Sequence, residues 1–180
     1  GRFYQGQGLY ALAEPWYEQC LSTVQSRLGE NHPHTASSLN NLAYLYKSQG
    51  KYEQAQPLLI QALQLRKQLL GENHPHTAQS LNNLASLYNN QGKYEQAQPL
   101  YIQALQIAEH LLGENHPDTA SSLNNLASLY KNQGKYDEAE PLYIQALEIA
   151  ERVLGTNHPN TVIFRNNFEN FRRMKGEGEG

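Results

Sequence analysis

Apolar side chains recur at helical spacing between residues 33 and 48. Leu39, Leu42, Ala43 and Tyr46 stand at relative positions 0, 3, 4 and 7, which places them on one face of an α-helix. A proline opens the segment, where a missing backbone N–H costs no intrahelical hydrogen bond. The pattern predicts a helix over residues 33–48.

A second apolar stripe follows between residues 52 and 70. Its members Ala55, Leu59, Ala62 and Leu63 also fall on one helical face. A glycine follows each of the two segments, as is common at helix C-termini, and no stretch alternates apolar and polar residues as a half-buried strand does. The chain is therefore predicted to form pairs of helices and no β-sheet.

The helix-pair pattern is repeated along the chain with a period of 42 residues. Residues 71–112 and 113–154 differ at 9 positions, so that 42 − 9 = 33 are identical. Self-similarity at a fixed period is the signature of a repeat architecture. The stretch GENHP, or GTNHP in the last copy, begins at Gly29, Gly71, Gly113 and Gly155.

A helix pair of this length cannot bury its own apolar faces, whereas a stack of such pairs buries them against one another. We therefore predict an all-α fold, an α-solenoid of stacked antiparallel helix pairs. Small residues recur at equivalent positions, as Ala43 and Ala85 do, which fits closely packed helices. The predicted divisions are a remnant of a first helix, or residues foreign to the array, at 1–8; a second helix at 9–28; repeats at 29–70, 71–112 and 113–154; a capping helix at 155–175; and a flexible tail at 176–180.

The N-terminal edge of the array carries unusual apolar residues. Leu9 and Leu12 stand where the later repeats have Lys and Gln. We therefore expect this helix to have an uncovered apolar side. Self-association through residues 1–28 is one way to cover it.

The C-terminal edge carries charges instead. Arg165, Glu169 and Arg172 replace the Leu, Ala and Tyr of the earlier first helices. Those positions would otherwise pack against a following second helix. We expect the segment to be a solubilising cap, as terminal repeats often are.

Composition narrows the classes of function. The net charge of −3 argues against nucleic acid as a partner, because phosphate binding requires a clustered basic surface. No apolar run approaches the ~18 residues of a membrane span, and no signal-peptide pattern opens the sequence. A single cysteine excludes an internal disulfide and fits a reducing compartment, so we expect a cytoplasmic protein without a membrane partner.

One histidine per repeat stands directly before a proline. Neighbouring packed helices lie about 8–10 Å apart, whereas zinc holds its ligands at about 2 Å. The histidines therefore cannot share an ion, and we expect them to form a connector that satisfies helix ends. They are His32, His74, His116 and His158.

Other reactive or aromatic residues have equivalents that predict ordinary packing. Cys20 is equivalent to Ala62, so we expect a small buried residue, and Trp16 is equivalent to Leu58, so we expect packing at the edge. The sequence contains no phosphate-binding loop and no paired acid and base. We predict that the protein is not an enzyme and uses no cofactor or metal.

The repeat resembles the tetratricopeptide repeat, whose usual period is about 34 residues. Its 42-residue length, its Gly-x-x-His-Pro connector and the stretches LNNLA and QGKYEQAQPL are similar to the kinesin light chain subtype. The resemblance covers nearly the whole chain and implies a non-catalytic scaffold that binds other proteins. The diagnostic positions of the family pattern are filled by Leu39, Leu42, Ala43, Tyr46, Gly50, Tyr52, Ala55, Leu59, Ala62 and Leu63.

The polar side of the first helix contains the pair Asn-Asn in every copy, for example in SLNNLASLY at 80–88 and 122–130. The resemblance implies that this side lines a concave groove for a peptide segment of a partner protein. Asparagine offers a donor and an acceptor and can therefore bind a peptide backbone. The candidate peptide-binding residues are Ser37, Asn40, Asn41, Tyr44, Lys47, Gln79, Asn82, Asn83, Ser86, Asn89, Ser121, Asn124, Asn125, Ser128, Lys131, Asn166 and Asn167.

Two alternatives stay open at the level of sequence. The asparagine rows could bond to each other across neighbouring first helices and only stabilise the stack. The whole array could likewise be a structural or oligomerising segment of a larger protein, with no ligand in the groove.

Overall fold

Every described element of secondary structure is an α-helix. The computed structural model describes the backbone of residues 2–178 and the side chains of residues 12–176, and no strand occurs in that part of the chain. The helices are α1 (Arg2–Leu28), α2 (Pro33–Ser48), α3 (Tyr52–Leu70), α4 (Pro75–Asn90), α5 (Tyr94–Leu112), α6 (Pro117–Asn132), α7 (Tyr136–Leu154) and α8 (Pro159–Gly178).

The helix bounds agree with the apolar pattern in the middle of the chain and differ at its ends. α2 and α3 have the predicted bounds. α1 begins at Arg2, so residues 2–8 continue the helix that we expected to begin at residue 9. α8 extends to Gly178 and includes the start of the expected tail. Gly1, residues 179–180 and the side chain of Leu9 lie outside the described residues.

The connector before each first helix is held by its histidine. His32 is the N-cap of α2, and its Nδ1 accepts a hydrogen bond from the backbone N–H of His34 at 3.1 Å. His74, His116 and His158 accept the same bond from the residue two positions later. Each bond satisfies one of the backbone donors that a helix leaves unpaired at its N-terminus. The expectation of a helix-end connector is confirmed.

A threonine closes the same connectors from the other side. Thr35 Oγ1 donates to the carbonyl oxygen of Gly29 at 2.8 Å. That glycine has a φ of 91°, a left-handed conformation that glycine adopts without steric cost. Thr77 and Thr119 make the equivalent bonds to Gly71 and Gly113, whereas Thr161 donates to the Ala150 carbonyl oxygen.

The fold comprises two compact units, Gly1–Leu87 and Tyr88–Gly180. In the first unit, α1 packs on α2 and α2 packs on α3. Ala43, Ala55 and Ala62 are completely buried between these helices, and any larger side chain there would force the helices apart. The predicted apolar faces of α2 and α3 are confirmed.

In the second unit, α6 packs on α5 and α7, and α8 packs on α7 and α6. Aromatic rings close this unit at α8. The Phe171 ring lies 5.4 Å from that of Tyr143 and 5.9 Å from that of Tyr136. Both Phe171 and Tyr143 are buried, so α8 is anchored by a cluster of aromatic side chains.

Two expectations about α1 were wrong. Cys20 is exposed, with its Sγ 4.0 Å from the Ser38 hydroxyl oxygen, and Trp16 is 73% exposed. The equivalent Ala62 is buried because α3 is packed against the first helix of its own repeat, α2. α1 is packed against α2 alone among the described helices of its unit, which leaves Trp16 and Cys20 exposed.

Candidate peptide-binding face

The first asparagine of the repeated pair is an internal structural residue in the first unit. Asn40 is only 7% exposed. Its Nδ2 donates to the Ala36 carbonyl oxygen at 2.9 Å and lies 3.5 Å from Ser80 Oγ. Its Oδ1 accepts from Asn83 Nδ2 at 3.0 Å. Asn40 therefore ties α2 to α4 and has little surface left for a ligand.

The same bond recurs in the second unit. Asn124 is buried, and its Oδ1 accepts from Asn167 Nδ2 at 3.1 Å. A related bond joins Asn132 Nδ2 to Asn89 Oδ1 at 3.0 Å. In α4 and α8, the second asparagine of the pair thus donates to the first asparagine of the preceding first helix. The bonds of the structural alternative are therefore present at these two places.

The other candidate residues are mostly accessible in part. In the first unit they form a surface that we call the polar face. On this face Tyr44 is 69% exposed, Asn41 and Gln79 are exposed as well, and the half-buried members are Ser37, Lys47, Asn82, Asn83 and Ser86. In the second unit Asn89 is buried, Asn166 is exposed, and the half-buried candidates are Ser121, Asn125, Ser128, Lys131 and Asn167.

Lys47 is the most constrained cation of the polar face. Its Nζ donates to Ser86 Oγ at 2.7 Å, and burial lowers the pKa of the ammonium group. No carboxylate oxygen of the described residues lies within 4.0 Å of it. A buried charge without a counter-ion favours any oxygen acceptor that a ligand can bring.

A small hollow of about 20 Å³ opens beside that ammonium. It is large enough for roughly one water-sized group. Tyr44 and Asn83 form part of its wall, and Leu59 is its apolar floor. An exposed aromatic ring, an ammonium group and an amide thus meet around one point of the first unit.

Arg66 is a buried neighbour of this face that the sequence analysis did not single out. It is buried on α3, and its Nη1 donates to the His76 carbonyl oxygen at 2.8 Å and to Ser80 Oγ at 3.1 Å. Because Ser80 also contacts Asn40, Arg66 is linked to the polar face through a chain of hydrogen bonds. Its positive charge could have drawn attention to it, because the equivalent residues are apolar: Val24, Ala108 and Ala150.

Within residues 12–176, no group of three or more His, Cys, Asp or Glu side chains is arranged to hold a metal ion. No helix in the described part of the chain combines the length and the apolar character needed to cross a membrane. The chemistry of the polar face is therefore that of amides, hydroxyls, one aromatic ring and lysines.

Profiles of the tetratricopeptide repeat match most of the chain. One matches residues 1–68, 38–89 and 77–131, and a second matches residues 119–160. No curated protein matches the chain.

Solved structures of kinesin light chain-like repeats resemble the fold closely. One is a point variant of a kinesin light chain of Podosopora anserina with nearly identical TPR-like repeats, at a TM-score of 0.76 and 27% identity over 98% of this chain and 83% of that one. A second structure of the Podosopora anserina repeats gives a TM-score of 0.74 and 27% identity over the same shares of the two chains. BtubC (BKLC) from P. vanneervenii gives a TM-score of 0.78 and 27% identity over 96% of this chain and 68% of that one. The predicted α-solenoid of helix pairs and its kinesin light chain-like type are confirmed.

Proposed function

The chain belongs to the tetratricopeptide repeat family, and we propose that it binds a peptide segment of a partner protein on the polar face. Its kinesin light chain-like repeats make it a protein-interaction scaffold. The finer part of the proposal, a bound peptide and the residues that hold it, is supported by the chemistry of that face.

One observation carries the proposal: Lys47, an ammonium group with no described carboxylate partner, stands beside the exposed ring of Tyr44 and the amide of Asn83. An ammonium donor can bind a backbone or side-chain oxygen of a peptide, and hydrogen bonds to charged groups are worth about 1.5–3 kcal/mol. An aromatic ring offers a large contact area at a low entropic cost. The combination suits an extended peptide that presents one oxygen to the hollow.

The buried asparagines contribute indirectly to this function. Asn40 and Asn124 fix the spacing of the first helices through their bonds to Asn83 and Asn167. In each unit the bond joins two first helices that carry more exposed side chains, and groups that are already held in place bind at a lower entropic cost. Peptide contact therefore falls mainly to Tyr44, Lys47 and the residues around them.

We also propose that the protein has no catalytic activity and acts in the cytoplasm. The polar face offers no nucleophile activated by a neighbouring base, which covalent catalysis requires. Its only exposed cysteine, Cys20, lies on α1 and outside this face. The location stays a prediction from the cysteine content.

The test begins with a peptide array that supplies a ligand, followed by calorimetric titration of variants. Tyr44→Ser and Lys47→Asn introduce the residues that occupy the equivalent positions 86 and 89, so the fold accepts them. We expect each to weaken binding about tenfold, which corresponds to about 1.4 kcal/mol. Glu53→Gln on the exposed side of α3 is the control and should bind as the parent does. Unchanged affinity in both polar-face variants contradicts the proposal.

The second candidate function, a structural segment with no groove ligand, is favoured by the asparagine bonds themselves. It predicts that no array peptide binds, or that binding ignores Tyr44 and Lys47. The same titrations therefore distinguish the two functions.

A further inference from the structure

α1 exposes side chains whose equivalents are buried elsewhere in the chain. Tyr17 is 39% exposed, whereas the equivalent Tyr143 of α7 is 1% exposed. Cys20 is exposed, whereas the equivalent Ala146 is completely buried. The residues on this side of α1 are apolar or small, and they are exposed because no described helix covers them.

The neighbour in the other repeats is the first helix of the same pair. α6 covers α7, where Ala127 and Tyr143 share one buried cluster. α2 covers α3 in the same way. The open side of α1 therefore corresponds to the side by which α3 contacts α2 and α7 contacts α6.

A hydrogen-bond register points to the same occupant. The second asparagine of α4, Asn83, donates to Asn40 of the preceding first helix, and Asn167 of α8 donates to Asn124. Asn41 is the second asparagine of α2. It is exposed, and no described residue accepts a hydrogen bond from it. Its amide lacks the acceptor that a preceding first helix provides to Asn83 and Asn167.

The place for that helix is an open hollow. Trp16, Tyr17 and Cys20 of α1 form one wall, and Ser38 and Asn41 of α2 form the other, around a volume of about 150 Å³. The two walls belong to a second helix and to the next first helix. This is the pair of elements between which a first helix sits in the rest of the array.

We propose that this hollow is a docking site for one further α-helix of the first-helix type. The helix would bring a neutral stripe of Leu, Ala and Tyr against Tyr17 and Cys20, as α2 brings its own stripe against α3. It would also bring an asparagine whose Oδ1 accepts from Asn41. The site shares Asn41 with the polar face, but its lining does not include Tyr44 or Lys47, so it does not depend on the function proposed for those residues.

A second copy of this chain is a poor occupant. The first helix at the edge of its second unit is α8, which carries Arg165, Glu169 and Arg172 at the positions of Leu, Ala and Tyr in α2. Docking α8 would place these charges against Tyr17 and Cys20. Burying charges without partners is strongly unfavourable. The docking helix is therefore a neutral one, and the site discriminates against the chain's own cap.

Trp16 allows a direct test, because it is the only tryptophan of the chain and it lines the hollow. The probe, which we call the neutral peptide, is a synthetic peptide with the sequence of residues 33–50, a complete first helix whose packing stripe carries no charge. The matched control, the charged peptide, has the sequence of residues 159–176, in which Arg165, Glu169 and Arg172 occupy that stripe. Titration is followed by Trp16 emission and by the melting temperature of the full chain.

We expect the neutral peptide to shift Trp16 emission to the blue in a saturable manner and to raise the melting temperature. The charged peptide should bind at least about tenfold more weakly, and Asn41→Ala should weaken the neutral peptide about three- to tenfold, as expected for the loss of one hydrogen bond. Asn90→Ala, at an exposed position at the end of α4, is the control for asparagine removal and should leave the affinity for the neutral peptide unchanged.

Three results would overturn the proposal. The first is no emission shift with the neutral peptide up to about 1 mM, the level at which binding energy falls to about 4 kcal/mol. The second is equal binding of the neutral and charged peptides. The third is sedimentation of the chain alone as a dimer that Tyr17→Lys abolishes, because the face would then be occupied by a second copy.

Discussion

The helices at the two ends of the described chain, α1 and α8, differ in the burial of their apolar residues. α8 turns Phe164 and Phe171 inward and Arg172 outward. α1 leaves Leu12 and Trp16 outward and contacts its neighbour through polar bonds. The comparison shows that one repeat pattern can form a closed edge, whose apolar residues are buried, or an open edge, whose apolar residues are exposed. Which of the two forms depends on the few positions that carry charge.

The polar attachment of α1 to α2 shows how the open edge is held. Glu18 Oε1 accepts from the Tyr46 hydroxyl at 2.8 Å, and Glu14 Oε2 accepts from Lys51 Nζ at 2.8 Å. Burial, and then the bond to Glu18, raises the pKa of Tyr46 to about 12. At α8 the polar bonds flank a buried aromatic cluster, so the closed edge has both kinds of contact.

The largest contrast should come from removing one aromatic side chain at each edge. Phe171→Ala removes a ring that is completely buried and should lower the free energy of unfolding by about 3–5 kcal/mol. Trp16→Ala removes an exposed ring and should stay within about 0.5 kcal/mol of the parent. Urea unfolding curves measure both. Similar losses in the two variants would contradict the distinction between a closed and an open edge.

Adding volume at equivalent positions tests the same distinction from the other direction. Ala146→Leu should overpack the contact that closes the second unit and cost about 1–3 kcal/mol. Cys20→Leu occupies the equivalent position on α1 and should be nearly neutral because that side is open. Thermal melts of the two variants provide the comparison. A stable Ala146→Leu variant would show that the buried face has been assigned to the wrong side of α7.

The adjacent residues Asn40 and Asn41 allow the side of α2 that contacts α4 to be compared with the side that lines the hollow. Asn40→Ala loses the bonds to Ala36 and Asn83 and should cost about 0.5–1.5 kcal/mol, since the half-buried partner can recover some hydration. Asn41→Ala should be neutral, or stabilising by up to about 0.7 kcal/mol through better helix propensity. Denaturant melts measure both, and equal effects would contradict the different roles assigned to the two residues.

Much of the fold was predictable because the repeat pattern is strong. The apolar stripe of α2 and the glycine after it fixed the bounds of that helix, and the histidine connector behaved as expected at His32. Periodicity favours such predictions, since each copy of the sequence faces nearly the same surroundings.

The candidate site was less predictable because equivalent positions do not have equivalent surroundings. Cys20 was expected to be buried as Ala62 is, but burial depends on the neighbouring helix and not on the residue itself. Asn40 and Asn41 are identical in type, and only the structure shows that the first faces α4 and the second faces the hollow. Arg66 was overlooked because its bonds run to backbone and hydroxyl groups that no sequence motif marks.

The smallest expected effect concerns the ion pair that helps to attach α1. The bond from Lys51, more than any other influence, holds the pKa of Glu14 below its ordinary value of 4.5. A carboxyl whose pKa is lowered on folding stabilises the fold above its unfolded pKa, and this contribution is lost as the pH falls through the folded value. Glu14→Gln should therefore cost no more than about 0.5 kcal/mol at pH 7, because exposed pairs are screened by solvent.

The same substitution should cost less as the pH falls through the lowered pKa of Glu14, because the carboxyl of the parent then becomes protonated. Lys175 at the other edge has the opposite sign, since its hydrogen bond to Glu140 raises its pKa. The contribution from the charge of Lys175 is present at neutral pH and is lost as the pH rises through the folded pKa. Chemical denaturation of Glu14→Gln and Lys175→Met at pH 3, 7 and 11 should therefore show an acid-sensitive attachment at α1 and a base-sensitive one at α8. A Glu14→Gln difference that persists unchanged at acid pH would mean that the glutamate holds α1 by packing and not by its charge.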